Sequence, residues 1–532
     1  ILDFLLNNYF SENKKNDNGI AIAIANFNMR GIKSKNGLEI KVLEKEFVNP
    51  QLSSKRRGDA LFAFARLGSD RNAESELIKI LSEKDNKNNF YLKQNALAAF
   101  RRLKYFPQNL TILKELFNSS DWRIRTEAVK SACYYKFSKQ EELRIFFSML
   151  NDKNPNVGRQ AAISMREIKF DSIQTFYLKD ELKKRIADYS YRSNIAGEAF
   201  ITYSKFFPKE IFDLAGKWEG KINSKFIFRA MTEDLYFPSK NFAYLSKNLN
   251  TKNKAEKLEI LTAMLALQKQ MSGNQLLANA LISNLSSGYA AGVALVADGL
   301  DSVFITLHRE ELQKIVGRQI RMFLNNAMFG ETIISLLNLS RKTGEDLWSE
   351  LIKEARQSTI PAVREYAAIE SSTKNKISGD LTNFYKIWSF VFKYKTAKIV
   401  TDKGEFKMRL DPEFAPISVG NFCYLASTDF FNNNIFHRVV PDFVIQGGDP
   451  DATGWGGPGY NIKSEFSPLS FDESAVGMAS SGRDTEGSQW FVMHSSYPHL
   501  NGRYTNFGHV IEGKDVVDNI DEGDRIIKVI LE

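Results

Sequence analysis

Phe436-His437-Arg438-Val439-Val440-Pro441-Asp442-Phe443-Val444-Ile445-Gln446-Gly447-Gly448-Asp449 decides how the end of this 532-residue chain is read. The run reads as a strand in which apolar residues surround one arginine, followed by Gln446 and a glycine turn. A guanidinium stays charged at any physiological pH, and burying it without a partner is costly. Arg438 is therefore either salt-bridged, with Asp442 or Asp449 at hand, or aimed at a polar group of a ligand. Two further elements bear on that choice. One is Gly477-Met478-Ala479-Ser480-Ser481-Gly482 leading into Gly487-Ser488-Gln489-Trp490-Phe491-Val492. The other is Pro498-His499-Leu500-Asn501-Gly502-Arg503-Tyr504-Thr505-Asn506-Phe507-Gly508.

In order and spacing, these motifs (F-H-R-x-x-x-x-F-x-x-Q-G-G-D, then G-S-Q-W-F) resemble the cyclophilin family of peptidyl-prolyl cis/trans isomerases. The resemblance covers about residues 396–532 and says nothing of the rest. It implies an eight-stranded antiparallel β-barrel with two capping helices, an isomerase acting on proline-containing protein clients, and no cofactor or metal. It also implies roles. Arg438 is the catalytic donor, with Gln446 and Phe443 beside it. Phe443, Val444, Phe491 and Leu500 form a proline pocket. Gln446, Gln489 and Ala479-Ser480 bond the substrate backbone, and His499 and Tyr504 complete the binding surface. Four positions depart from the family. Val444 stands for a methionine and Ser480 for an asparagine. His499 stands for a tryptophan that helps many members bind cyclosporin, and Tyr504 for a histidine. The run Gly454-Trp455-Gly456-Gly457-Pro458-Gly459-Tyr460 resembles compact bacterial-type members.

The chemistry needs only such a set. Peptide-bond rotation faces a barrier of about 18–20 kcal/mol because the nitrogen lone pair is shared with the carbonyl. A catalyst requires a donor that draws the lone pair out of resonance, a dry pocket for the proline ring, and bonds that hold the flanking backbone. Four histidines (His437, His494, His499, His509) lie in this region, but their spacing matches no common zinc template. No Gly-x-Ser-x-Gly elbow is present either.

Ahead of this region, residues from about 50 to 375 show apolar residues at three-and-four spacing, which predicts helix after helix. Alanines at 60, 96, 128, 161 and 367 occupy one recurring position, where a small residue lets stacked helices approach. The pattern resembles HEAT-like α-solenoid repeats. Four segments are expected: an irregular cap at 1–49, the solenoid at 50–375, a joining helix or linker at 376–395, and the cyclophilin-like domain at 396–532. In the joint, the aromatics of Phe384–Phe392 need a surface to bury against. At Thr396 the period changes to alternation, and Ala397–Leu410 carries a β-hairpin signature around Asp402-Lys403-Gly404.

The net charge of +9 is unevenly spread. Residues 396–532 hold 11 Lys and Arg against 20 Asp and Glu, whereas residues 1–395 hold 61 against 43. The basic array is either a lysine-rich solvated surface or a face for an anionic partner, and the acidic C-terminal domain is one such partner. No stripe of aromatics interleaved with basic residues marks it for nucleic acid. Cys133 and Cys423 read as small buried residues rather than as a disulfide pair. No apolar run approaches the length of a membrane helix. The chain begins at Ile1, so bacterial cytoplasm and a cell envelope reached through a removed signal both remain open. The function expected is X-Pro isomerisation, with the array recruiting clients or a partner. The alternative is a non-catalytic proline-binding scaffold or chaperone in which the array carries the function.

Overall fold

The structure, a computed structural model, describes residues 20–29, 31–32, 38–67, 73–86, 89–138, 140–187, 193–218, 223–233, 236–370 and 384–532, with Leu2 and Leu6. Up to residue 370 the described elements are helices. Within 1–49 these are α1 (Ile20–Met29) and α2 (Leu38–Val48). A single row of helices then follows, each packed on the next: α3 (Ser54–Leu67), α4 (Phe90–Arg102), α5 (Trp122–Ser131), α6 (Pro155–Ser164), α7 (Ser193–Phe206), α8 (Ser224–Glu233), α9 (Lys254–Ala266), α10 (Ala290–Gly299), α11 (Gly330–Thr343) and α12 (Pro361–Glu370). Helices such as Leu110–Phe117 and Gln275–Leu285 form a second layer between them. Ala60, Ala96, Ala128, Ala161 and Ala367 all fall on this row and are fully buried. Aromatic rings link neighbouring helices: Phe100, Phe106, Tyr135, Phe137 and Phe146 follow one another with centroids 5.0–6.3 Å apart. No described helix is long and apolar enough to cross a membrane.

After the array, α13 (Phe384–Trp388) buries Ile387, and Val391 just beyond it, against α14 (Pro416–Ser427). Gly420 makes this fit, because a Cβ there would stand 2.5 Å from the Ile387 carbonyl. Of the aromatics in this stretch, one packs as the sequence suggests and four do not. Phe384, Tyr385, Trp388 and Phe392 are exposed, and the joint is made by the two aliphatic residues with Phe390, whose ring packs on Tyr424 of α14 (5.9 Å). The cysteines are both free thiols; Cys423 is buried in α14, while Cys133 is half-buried in a 3-10 turn after α5.

The C-terminal domain is a curled antiparallel sheet of β1 (Thr396–Thr401), β2 (Gly404–Leu410), β3 (Asn434–Ile435), β4 (Arg438–Val440), β5 (Val444–Gly447), β6 (Ala475–Met478), β7 (Trp490–Met493), β8 (Asn506–Glu512) and β9 (Arg525–Leu531), with α15 (Lys514–Asn519) after β8. The order is β3-β9-β1-β2-β8-β6-β7-β5-β4. The count is nine rather than eight, and the opening run is not one strand. Residues 434–440 split at Phe436-His437, so that β3 pairs with β9 at one edge and β4 with β5 at the other. Phe436 exchanges backbone hydrogen bonds with Gly523 and Asp524 at the break. Pro441 to Phe443 then turns the chain back, with Asp442 left-handed (φ 67°) and the Phe443 N–H bonded to the Val440 carbonyl. Inside the curl, Phe422, Phe431, Phe436 and Trp490 pack in edge and stacked contacts.

Edge strand β4 leaves carbonyls without a neighbouring strand, and the array supplies their donors. Arg159 Nη1 donates to the Val439 carbonyl (3.1 Å) and Lys130 Nζ to the Pro441 carbonyl (3.1 Å). The row α3 to α9 presents its N-terminal ends to the acidic domain. Lys55 meets Asp472 (3.0 Å), Asn154 donates to the Asp518 carbonyl (2.9 Å) and Lys254 meets Asp451 (2.7 Å). Arg123 bonds Glu473, and the Trp122 ring packs edge-on to His494 (5.0 Å). Helix N-termini carry partial positive charge, so both dipoles and side chains favour an acidic surface there.

Glu522, in the turn before β9, is the most heavily paired of these acids. It meets Arg159 (2.5 Å), Lys225 (2.7 Å) and Arg229 (3.6 Å), and its carbonyl accepts from Asn194 (2.7 Å). Burial opposes its charge, yet the three cations hold its pKa down to about 2. Removing one member of a buried charge cluster strands the others, at a cost of about 3–5 kcal/mol. We therefore expect Glu522→Ala to lower the unfolding temperature and to raise amide exchange in α6 and at residues 521–524. Protection in β5 to β7 should persist; equal loosening there would mean that the cluster does not specifically join the two parts.

Asp442 gives the interface a pH dependence. Its carboxylate is fully buried between the domain and α4, and accepts from Gln94 (2.6 Å) and Ser495. Burial pushes its pKa up to about 8, with Glu127 adding to the effect and Lys130 and Arg123 opposing it. Between its ordinary pKa and that value the folded protein holds a proton that the unfolded chain has released, so stability falls as pH rises through the window. Asp442→Asn, neutral throughout, should melt near the wild type at about pH 4 and increasingly above it toward about pH 8. A constant difference across that range would show that Asp442 does not titrate there.

Candidate functional site

Strand register assembles the residues that the sequence singles out. Arg438 on β4 stands opposite Gln446 on β5, Gln446 opposite Phe491 on β7, and Phe491 opposite Gly477 on β6. The four form one row across four strands on one face, because side chains alternate along a strand while opposed residues share a side. Their immediate neighbours Val439, Ile445, Val492 and Val476 point the other way, into the main core.

Arg438 is exposed on this row rather than buried among apolar groups. Its guanidinium donates to Gln446 Oε1 (3.3 Å) and stands 6.0 Å from the centre of the Phe443 ring. Neither candidate ion-pair partner is used. Asp442 is committed to Gln94 and Ser495, as described. Asp449 accepts from the backbone N–H groups of Asp451 (2.7 Å), Thr453 (2.9 Å), Gly454 (2.6 Å) and Gly456 (3.2 Å). That cradle shapes the loop 450–457, whose carbonyls at Gly454 and Gly456 each accept from Gln489 Nε2 at 2.9 Å. Gln489 Oε1 in turn accepts from Gln446 Nε2 (3.0 Å). A continuous relay therefore runs from the Asp449 loop through Gln489 and Gln446 to Arg438. Gly448 (φ +83°) permits the close approach of β5 and β7 beneath it, since a Cβ would meet the Ser488 carbonyl at 2.4 Å.

Beside the row lies a second apolar cluster, separate from the main core. Val444, Phe491 and Leu500 are buried in it with Phe471, Ala475 and Met493, and Phe443, Ala479, Tyr497 and Tyr504 pack at its margin. Phe471 stacks on Phe491 (5.6 Å), Tyr504 meets Phe491 edge-on (6.1 Å), and Tyr497 meets Phe443 edge-on (4.8 Å). His499 lies parallel to Phe443 (6.2 Å) and, on its other contact, to Phe62 of α3 (6.3 Å). Burial and the nearby Arg66 and Arg503 lower the His499 pKa to about 4, so the ring is neutral near pH 7.

A cleft of about 170 Å³ continues from the polar end of the row. Gln446, Gln489, Ala479, Ser480 and the 454–460 loop line one side, and Met328, Gly330 and Glu331 of the array line the other. The Ala479 N–H is taken by the Gln489 carbonyl (3.0 Å), while the backbone of Ser480 engages no described protein group. All eleven residues singled out from the sequence thus fall on one face of the domain. Unforeseen were Asp449 as organiser of the loop, Phe471 and Tyr497 behind the apolar cluster, and every contribution of the array. Among the described residues, no group of three or more His, Cys, Asp or Glu side chains converges as a metal site.

Comparison with known proteins bears on residues 396–529. The family model of cyclophilin type peptidyl-prolyl cis-trans isomerases matches residues 396–529. Peptidyl-prolyl cis-trans isomerase B of Bacillus subtilis is 44% identical over 136 residues, which is 25% of this chain and 95% of that protein. A peptidyl-prolyl cis-trans isomerase of Helicobacter pylori is 44% identical over 138 residues, 25% of this chain and 85% of its own. A cyclophilin type isomerase structure from Cryptosporidium parvum aligns with a TM-score of 0.25 at 32% identity, covering 26% of this chain and 98% of that one. Residues 1–395 lie outside the family model's match. Through its last quarter, the chain belongs to the cyclophilin-type peptidyl-prolyl cis-trans isomerases.

Proposed function

We propose that the chain isomerises X-Pro bonds in protein clients with Arg438 as the group that weakens amide resonance. The observation that carries this reading is the row Arg438–Gln446–Phe491 beside a separate apolar cluster. A proline ring seated on Phe443, Val444, Phe491 and Leu500 would bring its nitrogen toward a guanidinium fixed by Gln446. Hydrogen bonding to that nitrogen localises its lone pair, which is the charge shift that rotation requires. The free Ser480 backbone suits the strand-like segment beside the proline, as does Gln446 through its remaining capacity. Gln489, with both ends of its amide engaged, is a positioning residue in this scheme. No proton is transferred, so the neutral His499 and the phenol of Tyr504 serve as walls rather than as acid or base.

The array we read as a HEAT-like solenoid that braces the domain and helps determine which clients reach it. The N-terminal ends of its row are occupied by the domain, so recruitment through that face is not part of this scheme. In the alternative, a proline-binding scaffold, the same pocket would grip without turnover.

The full chain should accelerate isomerisation of a short X-Pro peptide, and Arg438→Ala should lower kcat/KM by roughly 10²–10³, as for loss of one transition-state donor. Its melting temperature should hardly move, because the side chain is exposed and makes a single long hydrogen bond. Arg438→Lys should restore little, lacking the planar fork. Binding of the peptide by wild type without acceleration would favour the scaffold.

A further inference from the structure

The array does more at the cleft than close it. A 3-10 turn, Ala327–Phe329, leads into α11, and together they bring Met328 and Glu331 to the wall facing Gln446 and Gln489. The backbone that carries these two side chains is held in place. Asn326 caps the turn by accepting from the Met328 N–H (3.1 Å), Phe329 stacks face to face on Phe323 (3.7 Å), and Gly330 abuts Ile360. The opposite wall is equally fixed: the Ser481 N–H donates to Thr485 Oγ1 (3.0 Å), and the Thr485 hydroxyl donates to the Gly482 carbonyl (2.8 Å).

Glu331 is half-buried at this wall, where it accepts a hydrogen bond from the Ser481 hydroxyl. No described basic residue pairs with it. Burial raises its pKa with no neighbouring cation opposing the shift, which marks a carboxylate short of a counter-charge. Asp451, Asp472 and Glu522, also between array and domain, each meet a lysine or arginine, and Asp442 is closed off by Gln94 and Ser495. Met328 stands next to it, 43% exposed, with its sulfur 3.9 Å from where a Gly459 Cβ would be. An exposed flexible thioether beside an uncompensated carboxylate matches one kind of side chain: an alkyl stem that ends in a cation.

We propose that Met328 and Glu331 form an array-borne subsite for a lysine or arginine near the isomerised X-Pro bond, the stem lying on Met328 and the cation on Glu331. This rests on the isomerase reading above. It assigns the array a direct part in client choice, with basic segments around proline preferred over acidic ones. Glu331 lies in the first turn of α11, where an acid also favours the helix dipole. That structural role predicts a change in melting temperature and none in substrate preference.

The test uses the full chain and three X-Pro peptides that differ only in a flanking Lys, Gln or Glu. Wild type should show a kcat/KM at least roughly fivefold higher for the Lys than for the Glu peptide, the size expected of one partly screened ion pair, and the ratio should shrink with added salt. Glu331→Gln should bring the ratio near one, and Glu331→Lys should invert it. Met328→Ser should lower kcat/KM for the Lys peptide more than for the Gln peptide. A ratio near one in the wild type, with the Gln peptide turned over, would overturn the subsite and leave the isomerase reading intact. So would a wild-type preference that Glu331→Lys retains. No turnover of any peptide by the wild type would defeat the isomerase reading and the subsite with it. Should the charge-reversed variant not fold, the isosteric Glu331→Gln decides alone.

Discussion

The open edge of the sheet at β4 is the constraint on which the site depends. A terminal strand has N–H and C=O groups with no neighbour, and such edges must be covered, blunted or left to pair with strangers. Here the edge strand also carries Arg438, whose guanidinium has to stay fixed while its outer backbone is bare. Arg159 and Lys130 of the array resolve this by donating to the carbonyls of Val439 and Pro441, on either side of Val440. A cation suits the task better than another strand would. It satisfies the carbonyl without extending the sheet, and it leaves the Arg438 side chain exposed.

That arrangement explains the lopsided charge of the chain. A lysine or arginine buried at an interface is tolerated only if acids meet it, and an acid only if cations do. Arg159 is 6% exposed and pairs with Glu522, Asp521 and Glu198 as well as the Val439 carbonyl. The excess of acids after residue 396 and of bases before it therefore belongs to one docked surface, at least in part. Other lysines of the array, such as Lys79 and Lys184, pair only along their own helix and belong to an ordinary solvated face. Both readings of the basic array consequently describe something real, on different sides of it.

What was legible in the sequence follows from the range of the interactions involved. The repeating alanines, the hairpin at Thr396 and the residues of the row were readable because periodicity and motif order are local. The single strand at 436–449 was misread because the apolar run conceals a Pro441-Asp442 turn, whose left-handed aspartate the dipeptide alone signals. The run instead yields two neighbouring strands, β4 and β5, while β3 precedes it and lies at the opposite edge of the sheet. Of the aromatics at 384–392 only Phe390 packs, on Tyr424 of α14, and Ile387 and Val391 reach the same helix while the other four rings are exposed. The array contacts had no local signal at all. Gln94 and Asp442 are 348 positions apart, and neither residue announces the other.

Cyclophilin chemistry makes such a merger of two bodies workable. An enzyme that shuttles protons must tune the pKa of its acid and base, and a docking surface full of charges would disturb that tuning. Isomerisation asks instead for a permanent cation, a dry wall and a hydrogen-bonded backbone, none of which titrates near neutrality. The charged interface can therefore run beneath β4 and the array can press against the rim, with Phe62 at His499 and Met328 at Gly459. Under the proposed reading its effect on the reaction is steric and Coulombic: the array would bear on which chains fit the groove, with the step itself left to Arg438.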